Sequence, residues 1–251
     1  MSITQVNIAG VDVSSVFMED LVAIFNETIT LDKKMRVCVT PVNCITAAAK
    51  SDELKQLYNA ADIVLCDGIP LKWAASFLGT PIKERITGLD LVPQYIAECN
   101  RRGYSMFFLG AKEGVAASLV QKIRSEFPNP KIAGYYSPPF ANKFSVEENK
   151  KILALINEVK PNVLFVSLTA PKQDYWIAEH FDAIESNILI GVGGAFEVTA
   201  GLVPRAPVWM QKNGLEWLFR FLQEPRRLFR RYFIEAPAFF PLVIKQKFTK
   251  Q

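Results

Sequence analysis

The sequence predicts an α/β protein with a Rossmann-like, mostly parallel sheet and helices on both faces, plus a basic amphipathic C-terminal helical appendage. Three observations carry this. Short apolar, β-branched runs alternate with helical stretches of about 10 to 15 residues, the pattern of βαβ units. At least four of those runs end in polar or glycine-rich turns, and open α/β sheets place their ligands at the carboxyl ends of strands. Finally, 251 residues, half of them apolar, suffice for one well-buried domain and a small addition. The expected division is a core over 1–204 and an appendage over 205–251.

Taken in order, residues 3–13 alternate apolar and polar on either side of Gly10, which predicts a β-hairpin. Phe17, Leu21, Ile24, Phe25 and Leu31 recur at helical spacing, so a helix is expected over 17–29. The run 35–39 is a strand ending at Thr40-Pro41-Val42-Asn43, and the alanine- and leucine-rich stretch 45–60 is expected as helix.

The stretch 61–88 is the centre of the chain. A short strand over 63–66 runs into Asp67-Gly68 and then into a helix opened by Pro70. This pattern presents a side chain at a strand's carboxyl end, so Asp67 is the first candidate for chemistry. The competing reading is that Asp67 caps the helix, because Asp is favoured at N-caps and Pro is tolerated in the first turn. Arg85, on the polar segment 83–85, is placed to pair with a carboxylate or meet an anion, against the ordinary role of a surface arginine.

Further on, a helix is expected over 89–100 with Pro93 in its first turn. An apolar strand over 104–109 leads through Gly110-Ala111-Lys112 into a helix over 113–127. Glycine at such a junction lets the backbone approach a phosphate, and a helix start offers free N–H groups. An ordinary tight βα turn is the alternative, and there is no G-x-G-x-x-G fingerprint. A strand over 132–136 and a break over 136–140 precede a helix over 146–159 that Pro161 stops. The strand 163–168 ends in the polar turn 169–174, which opens a helix containing Tyr175, Trp176 and Ala178. A last strand over 187–192 ends in Gly193-Gly194-Ala195-Phe196-Glu197.

Composition narrows the chemistry. His180 is the only histidine, and Cys38, Cys44, Cys66 and Cys99 form no C-x-x-C pair, so a zinc site is rejected. The cysteines fall on apolar segments, which suits reduced core thiols in a cytosolic protein. No basic start is followed by a long apolar run, so no secretory signal is expected. No stretch of about 18 uninterrupted apolar residues predicts a spanning helix.

The net charge of +4 is unevenly spread. Residues 205–251 hold ten Lys/Arg against three acids, a net +7, which leaves −3 on residues 1–204. In that tail Leu215, Leu218, Phe219 and Leu222 sit at helical spacing. Arg220, Arg227 and Arg231 project within roughly 20° of one line if Pro225 leaves the helix unbroken. Such a segment is expected to lie on an anionic surface or over an anionic ligand. No nucleic-acid motif accompanies the charge.

The pieces ADIVLCDGIP, ERITGLDLVP, FLGAKEG, APKQDYW, GVGGAFEVTAG and RAPVWMQKNGLEWLFRFLQEPRRLFRRY occur in this order over residues 61–232, within a resemblance that runs from about 37 to 232. Together they resemble the WecG/TagA/CpsF family of bacterial glycosyltransferases, the last piece most specifically. The resemblance implies a cytoplasmic enzyme, peripheral on the inner face of the membrane, in cell-surface polysaccharide synthesis. Such enzymes move a sugar from a UDP-sugar donor to a polyprenyl-diphosphate-linked acceptor. In the best-known members the sugar is N-acetylmannosamine or its uronic acid and the acceptor is N-acetylglucosamine on undecaprenyl diphosphate. Transfer is by inversion, with no metal and no other cofactor.

Residue by residue, the resemblance places the proposed base on Asp67, a diphosphate-contacting arginine on Arg85 and the glutamine of the PKQ turn on Gln173. The family's T-x-N element falls on Thr40 and Asn43, here separated by two residues instead of one. Gly68, Gly110, Gly193 and Gly194 complete the substrate-binding candidates, and Arg220, Arg227 and Arg231 are expected at the lipid diphosphate or the membrane. Two other departures are Thr169, where glycine is usual, and Glu197, where aspartate is common. Asp67 would take the proton of the attacking acceptor hydroxyl. An ordinary aspartate, with a pKa of about 3.9, is a weak base, so partial burial is expected to raise it.

Two rivals remain at this stage, a Rossmann-like nucleotide-dependent reductase and a non-catalytic membrane-surface adaptor. The first lacks its glycine fingerprint, and the second leaves the converging polar turns unexplained. The partners implied are the UDP-sugar, the lipid-linked acceptor and an anionic membrane, without nucleic acid, and a homo-oligomer stays open.

Overall fold

The computed structural model describes residues 3–249. A two-stranded antiparallel hairpin, β1 (Thr4–Ile8) and β2 (Val11–Ser15), precedes helix α1 (Met18–Thr30). Six parallel strands then form the central sheet: β3 (Met35–Pro41), β4 (Ile63–Asp67), β5 (Met106–Gly110), β6 (Ile132–Tyr136), β7 (Val163–Ser167) and β8 (Ile188–Gly191). Their order is β4-β3-β8-β7-β5-β6. Because every pair is parallel, all six carboxyl ends share one edge. The chain steps from β3 outward to β4, whereas β5 to β8 lie on the other side of β3. That reversal opens a crevice beside the ends of β3 and β8.

Alternate side chains along each strand point to opposite faces, and both faces are covered. Val37, Val39, Ile63, Leu65, Phe108, Phe165 and Ile190 pack against α1, α5 (Gly88–Arg102), α6 (Val115–Glu126) and α9 (Ala195–Thr199). On the other face Cys38, Val64 and Cys66 meet the hairpin, α2 (Val42–Ala48), α3 (Asp52–Asn59) and α4 (Ile69–Leu78). Leu109, Leu164, Val166 and Leu189 complete that face under α7 (Val146–Val159) and α8 (Lys172–His180). All four cysteines are buried and unpaired.

Three local expectations are corrected. The stretch expected as one helix over 45–60 is two, because Ser51 accepts a hydrogen bond from the Leu54 N–H and starts α3 as its N-cap. Pro93 lies in the second turn of α5 rather than the first, since Thr87 caps the helix and Gly88 is its first residue. Proline denies the Leu89 carbonyl its usual i→i−4 donor, and the Arg205 guanidinium donates to that oxygen instead, at 3.1 Å. In the tail Pro225 does break the helix. Glu224, at φ −135° and ψ 59°, separates α11 (Glu216–Gln223) from α12 (Pro225–Arg230), so the three arginines do not share one helical line.

The tail begins with α10 (Val208–Lys212) and, after α12, continues through a π-helical turn (Arg231–Glu235) into α13 (Phe239–Thr249). Gly214, at φ +72°, lies where a Cβ would sit 2.9 Å from Ile69, which seats the tail on the start of α4. Phe239 and Val243 are buried in the same cluster as the hairpin.

Candidate active site

Asp67 is the last residue of β4, beside Pro41 of β3. It is not the cap of α4. That position belongs to Gly68, whose φ of +124° suits a residue without a Cβ, and no side chain caps the helix. The residue as a whole is only partly buried, yet its carboxylate is closely surrounded. Burial raises its pKa above the ordinary value, the Arg231 and Arg85 charges oppose that rise, and Glu216 and Asp90 add to it.

Arg85 is brought there by the loop before α5, where the Ile86 N–H donates to the Cys66 carbonyl at 3.2 Å. Its guanidinium lies 3.4 Å from Glu216 and 3.7 Å from Asp90, so it is not an ordinary surface arginine. Asp90 in turn accepts from the Thr87 hydroxyl at 2.8 Å and pairs with Arg205, whose Nε also meets Glu216 at 2.9 Å. Two arginines and two carboxylates thus tie α5 to the tail beside Asp67. Asp90, Arg205 and Glu216 were absent from the sequence candidates. The available signal was Glu216, one of only three acids in a strongly basic segment.

The tail arginines approach from above. Arg220 Nη2 stands 3.7 Å from where a Gly194 Cβ would be, over the turn after β8, and Glu197 Oε2 lies 3.8 Å from the same point with no hydrogen-bond partner. The Arg231, Arg220 and Arg227 charges all reach Tyr232, as does that of Asp67. Burial raises the Tyr232 pKa, and the three arginines oppose it. Arg227 is also held by Glu224 at 2.6 Å on the exposed side of α12.

Gln173 is fully buried. Its Oε1 accepts from the Gly193 N–H at 2.9 Å, and its Nε2 lies unpartnered against Gly191. It therefore shapes the Gly193-Gly194 turn. Next to it, Asp174 accepts from the Tyr58 hydroxyl at 2.9 Å, and burial pushes its pKa up to about 7. Thr40 is wholly buried, with its hydroxyl 3.4 Å from the Cys38 carbonyl. Asn43 is the second residue of α2, and its buried Oδ1 is unpartnered. Gly110, at φ +105°, is required by the Ser167 carbonyl where a Cβ would sit. The helix after it starts only at Val115, behind Gly114. The sequence expected that helix from 113, closer to Gly110.

Among the described residues no three His, Cys, Asp or Glu side chains gather as a metal-ligand set. A separate open depression of about 1020 Å³ lies between α1 and α5. Its Glu98 is already held by Arg101, Arg102 and Asn26, which with other contacts bring the Glu98 pKa down to about 2 despite partial burial.

Comparison with known proteins agrees with this geometry. The glycosyl transferase WecG/TagA/CpsF family profile matches residues 6–251. An N-acetylglucosaminyldiphosphoundecaprenol N-acetyl-β-D-mannosaminyltransferase of Bacillus subtilis (strain 168) is 30% identical over 223 residues, 88% of this chain and 84% of that protein. An enzyme of the same name from Staphylococcus aureus (strain MW2) is 27% identical over 245 residues, 97% of this chain and 93% of its own. With a parallel sheet, a strand-end aspartate and a family profile that spans nearly its whole length, this chain belongs to the WecG/TagA/CpsF family of glycosyltransferases.

Proposed function

We propose that this glycosyltransferase moves N-acetylmannosamine or a related hexose from a UDP-sugar to a polyprenyl-diphosphate-linked saccharide, with N-acetylglucosamine on undecaprenyl diphosphate as the first acceptor to test. The observation that carries it is Asp67: a carboxylate at a strand end, raised by burial, between Arg85 of the core and Arg231 of the tail. The relatives' names supply the acceptor and the sugar. The UDP carrier rests on the family resemblance.

In this reading the acceptor hydroxyl attacks the anomeric carbon from the face opposite UDP, and its proton passes to Asp67 as the new bond forms. A raised pKa makes the carboxylate a better acceptor for that proton. The bond to UDP breaks and negative charge grows on the β-phosphate. Arg85, with Arg220 and Arg231, is the proposed source of countercharge, fixed in place by Glu216 and Asp90 before reaction. Asn43 Oδ1 and Gln173 Nε2, both buried without partners, are the proposed polar contacts to substrate, beside Thr40 and the Gly193-Gly194 turn. Gly68, next to Asp67 at the end of β4, and Gly110, packed against the Ser167 carbonyl at the end of β5, are proposed to shape the backbone at those two strand ends.

Residues 205–251 are proposed to act as one unit that completes the site and meets the inner face of the membrane. A UDP-release screen over several UDP-sugars, with a short-chain lipid-diphosphate N-acetylglucosamine acceptor, tests donor and acceptor together. No release above the acceptor-free rate with any donor would refute the reading.

A further inference from the structure

Helix α4, which begins two residues after Asp67, packs beside α13, and the two expose more apolar surface than a surface helix needs. Helix α13 is apolar on opposite sides. Phe239 and Val243 face inward, and Gln246 fastens that side to the hairpin by accepting from the Ala9 N–H at 2.7 Å and donating to the Asn7 carbonyl at 2.9 Å. Phe240, Ile244 and Phe248 recur every fourth residue on the other side and are 46, 51 and 67% exposed. Its neighbour α4 buries Leu71, Ala74 and Ala75 and turns Trp73 and Phe77 outward, 63 and 47% exposed. Lys247 Nζ stands 5.7 Å over the Phe77 ring and joins the two stripes. A contiguous exposed apolar patch marks an interaction surface.

Charge selects the partner. Neither helix contains an acid, and their cations are Lys72, Lys245 and Lys247. Bulky aromatics rimmed by lysine suit a surface resting on anionic lipid. A second copy docked through the same patch by two-fold symmetry would set those lysines against their own kind. No helix among the described residues is long and apolar enough to cross a membrane, so contact would be made at the surface.

We propose that the α4–α13 stripe is a lipid-docking face, so that the core's own Trp73 and Phe77, and not only the arginine-rich segment, hold the protein on an anionic bilayer. Helix α4 begins directly after Gly68, and at 1.5 Å per residue Trp73 lies about 6 Å along its axis from the first residue. Docking through this stripe would hold the start of α4, and Asp67 beside it, near the interface. The choice of a lipid partner rests on the acceptor class proposed above, but docking itself requires no turnover.

The test uses full-length protein carrying Trp73→Ser and Phe77→Ser, sedimented with phosphatidylglycerol/phosphatidylcholine vesicles without substrates. We expect about tenfold weaker vesicle binding, an unchanged circular dichroism spectrum and melting temperature, and unchanged turnover with a short-chain soluble acceptor. Brominated acyl chains should quench less tryptophan emission in a Trp73→Phe variant than in the wild type. Vesicle affinity equal to wild type, or equal quenching, overturns the proposal. So does a wild-type dimer that becomes a monomer in the double variant while vesicle affinity holds, since that assigns the patch to a second copy. Weakened vesicle binding alongside a wild type that transfers no sugar would keep the docking face and reject the proposed reaction.

Discussion

Glu216 of the tail lies 3.4 Å from the guanidinium of Arg85, a residue 131 positions earlier in the chain. The same carboxylate holds Arg205 at 2.9 Å, so one acid fixes two cations beside Asp67. Both pairs are mostly shielded from solvent, which makes removal of the acid costly. Glu216→Ala should destabilise the protein by about 2 kcal/mol, below the fully buried case because the arginines keep some water. Urea unfolding measures it, and an unchanged midpoint would mean that the network holds nothing together.

Asp67→Asn preserves shape and removes the proposed base. Turnover should fall about 100- to 10,000-fold, with UDP binding and the melting temperature near wild type. Transfer at the wild-type rate would take Asp67 out of the reaction.

The acid limb of the pH–rate profile follows from the charges around Asp67. Its pKa is raised by burial and held down by Arg231 and Arg85; if Asp67 is the proposed base, activity needs its ionised form and drops as pH falls through that raised value. Arg231→Gln removes one restraining charge, and the acid limb of kcat/KM should move to higher pH. A limb that stays in place, or moves down, contradicts the placement of Arg231.

Asp174 gives a separate stability signature. Its folded pKa, about 7, lies above the ordinary carboxylate value, so between about pH 4 and 7 the folded state binds more protons than the unfolded chain. Its contribution to stability is therefore full below the unfolded pKa and is lost as pH rises through the folded one. Asp174→Asn should flatten the decline in melting temperature between about pH 4 and 7. The same decline in both proteins would assign it elsewhere.

Thr169 adopts φ +72°, a left-handed conformation that is unfavourable for a β-branched residue. Thr169→Gly should stabilise the protein by about 1 kcal/mol, read as a higher urea midpoint. This also gives a physical reason for the glycine that the resemblance leads one to expect there.

Much of the sheet was legible because its strands are continuous apolar runs punctuated by glycine and polar turns. Strand β6 and helix α7 match their expected limits, 132–136 and 146–159. Asp67 stood out because strand, acid, glycine and helix are neighbours in sequence, and Arg85 because it lies on the polar segment that follows. The errors came where short-range signals compete. Ser51 divided an apparent helix, Pro93 was carried into a second turn by the Thr87 cap, and Pro225 broke the arginine line.

The sequence by itself determined the alternation of strands and helices, the edge where polar turns collect, and the unequal charge of body and tail. These depend on periodicity and local backbone preference. Only the tertiary structure decided that Asp90 and Glu216 meet both Arg85 and Arg205, that the Arg231 charge bears on Asp67, and that Lys247 of α13 stands over Phe77 of α4. Those pairings join residues far apart in the chain, and the close packing that fixes them depends on all the intervening elements at once.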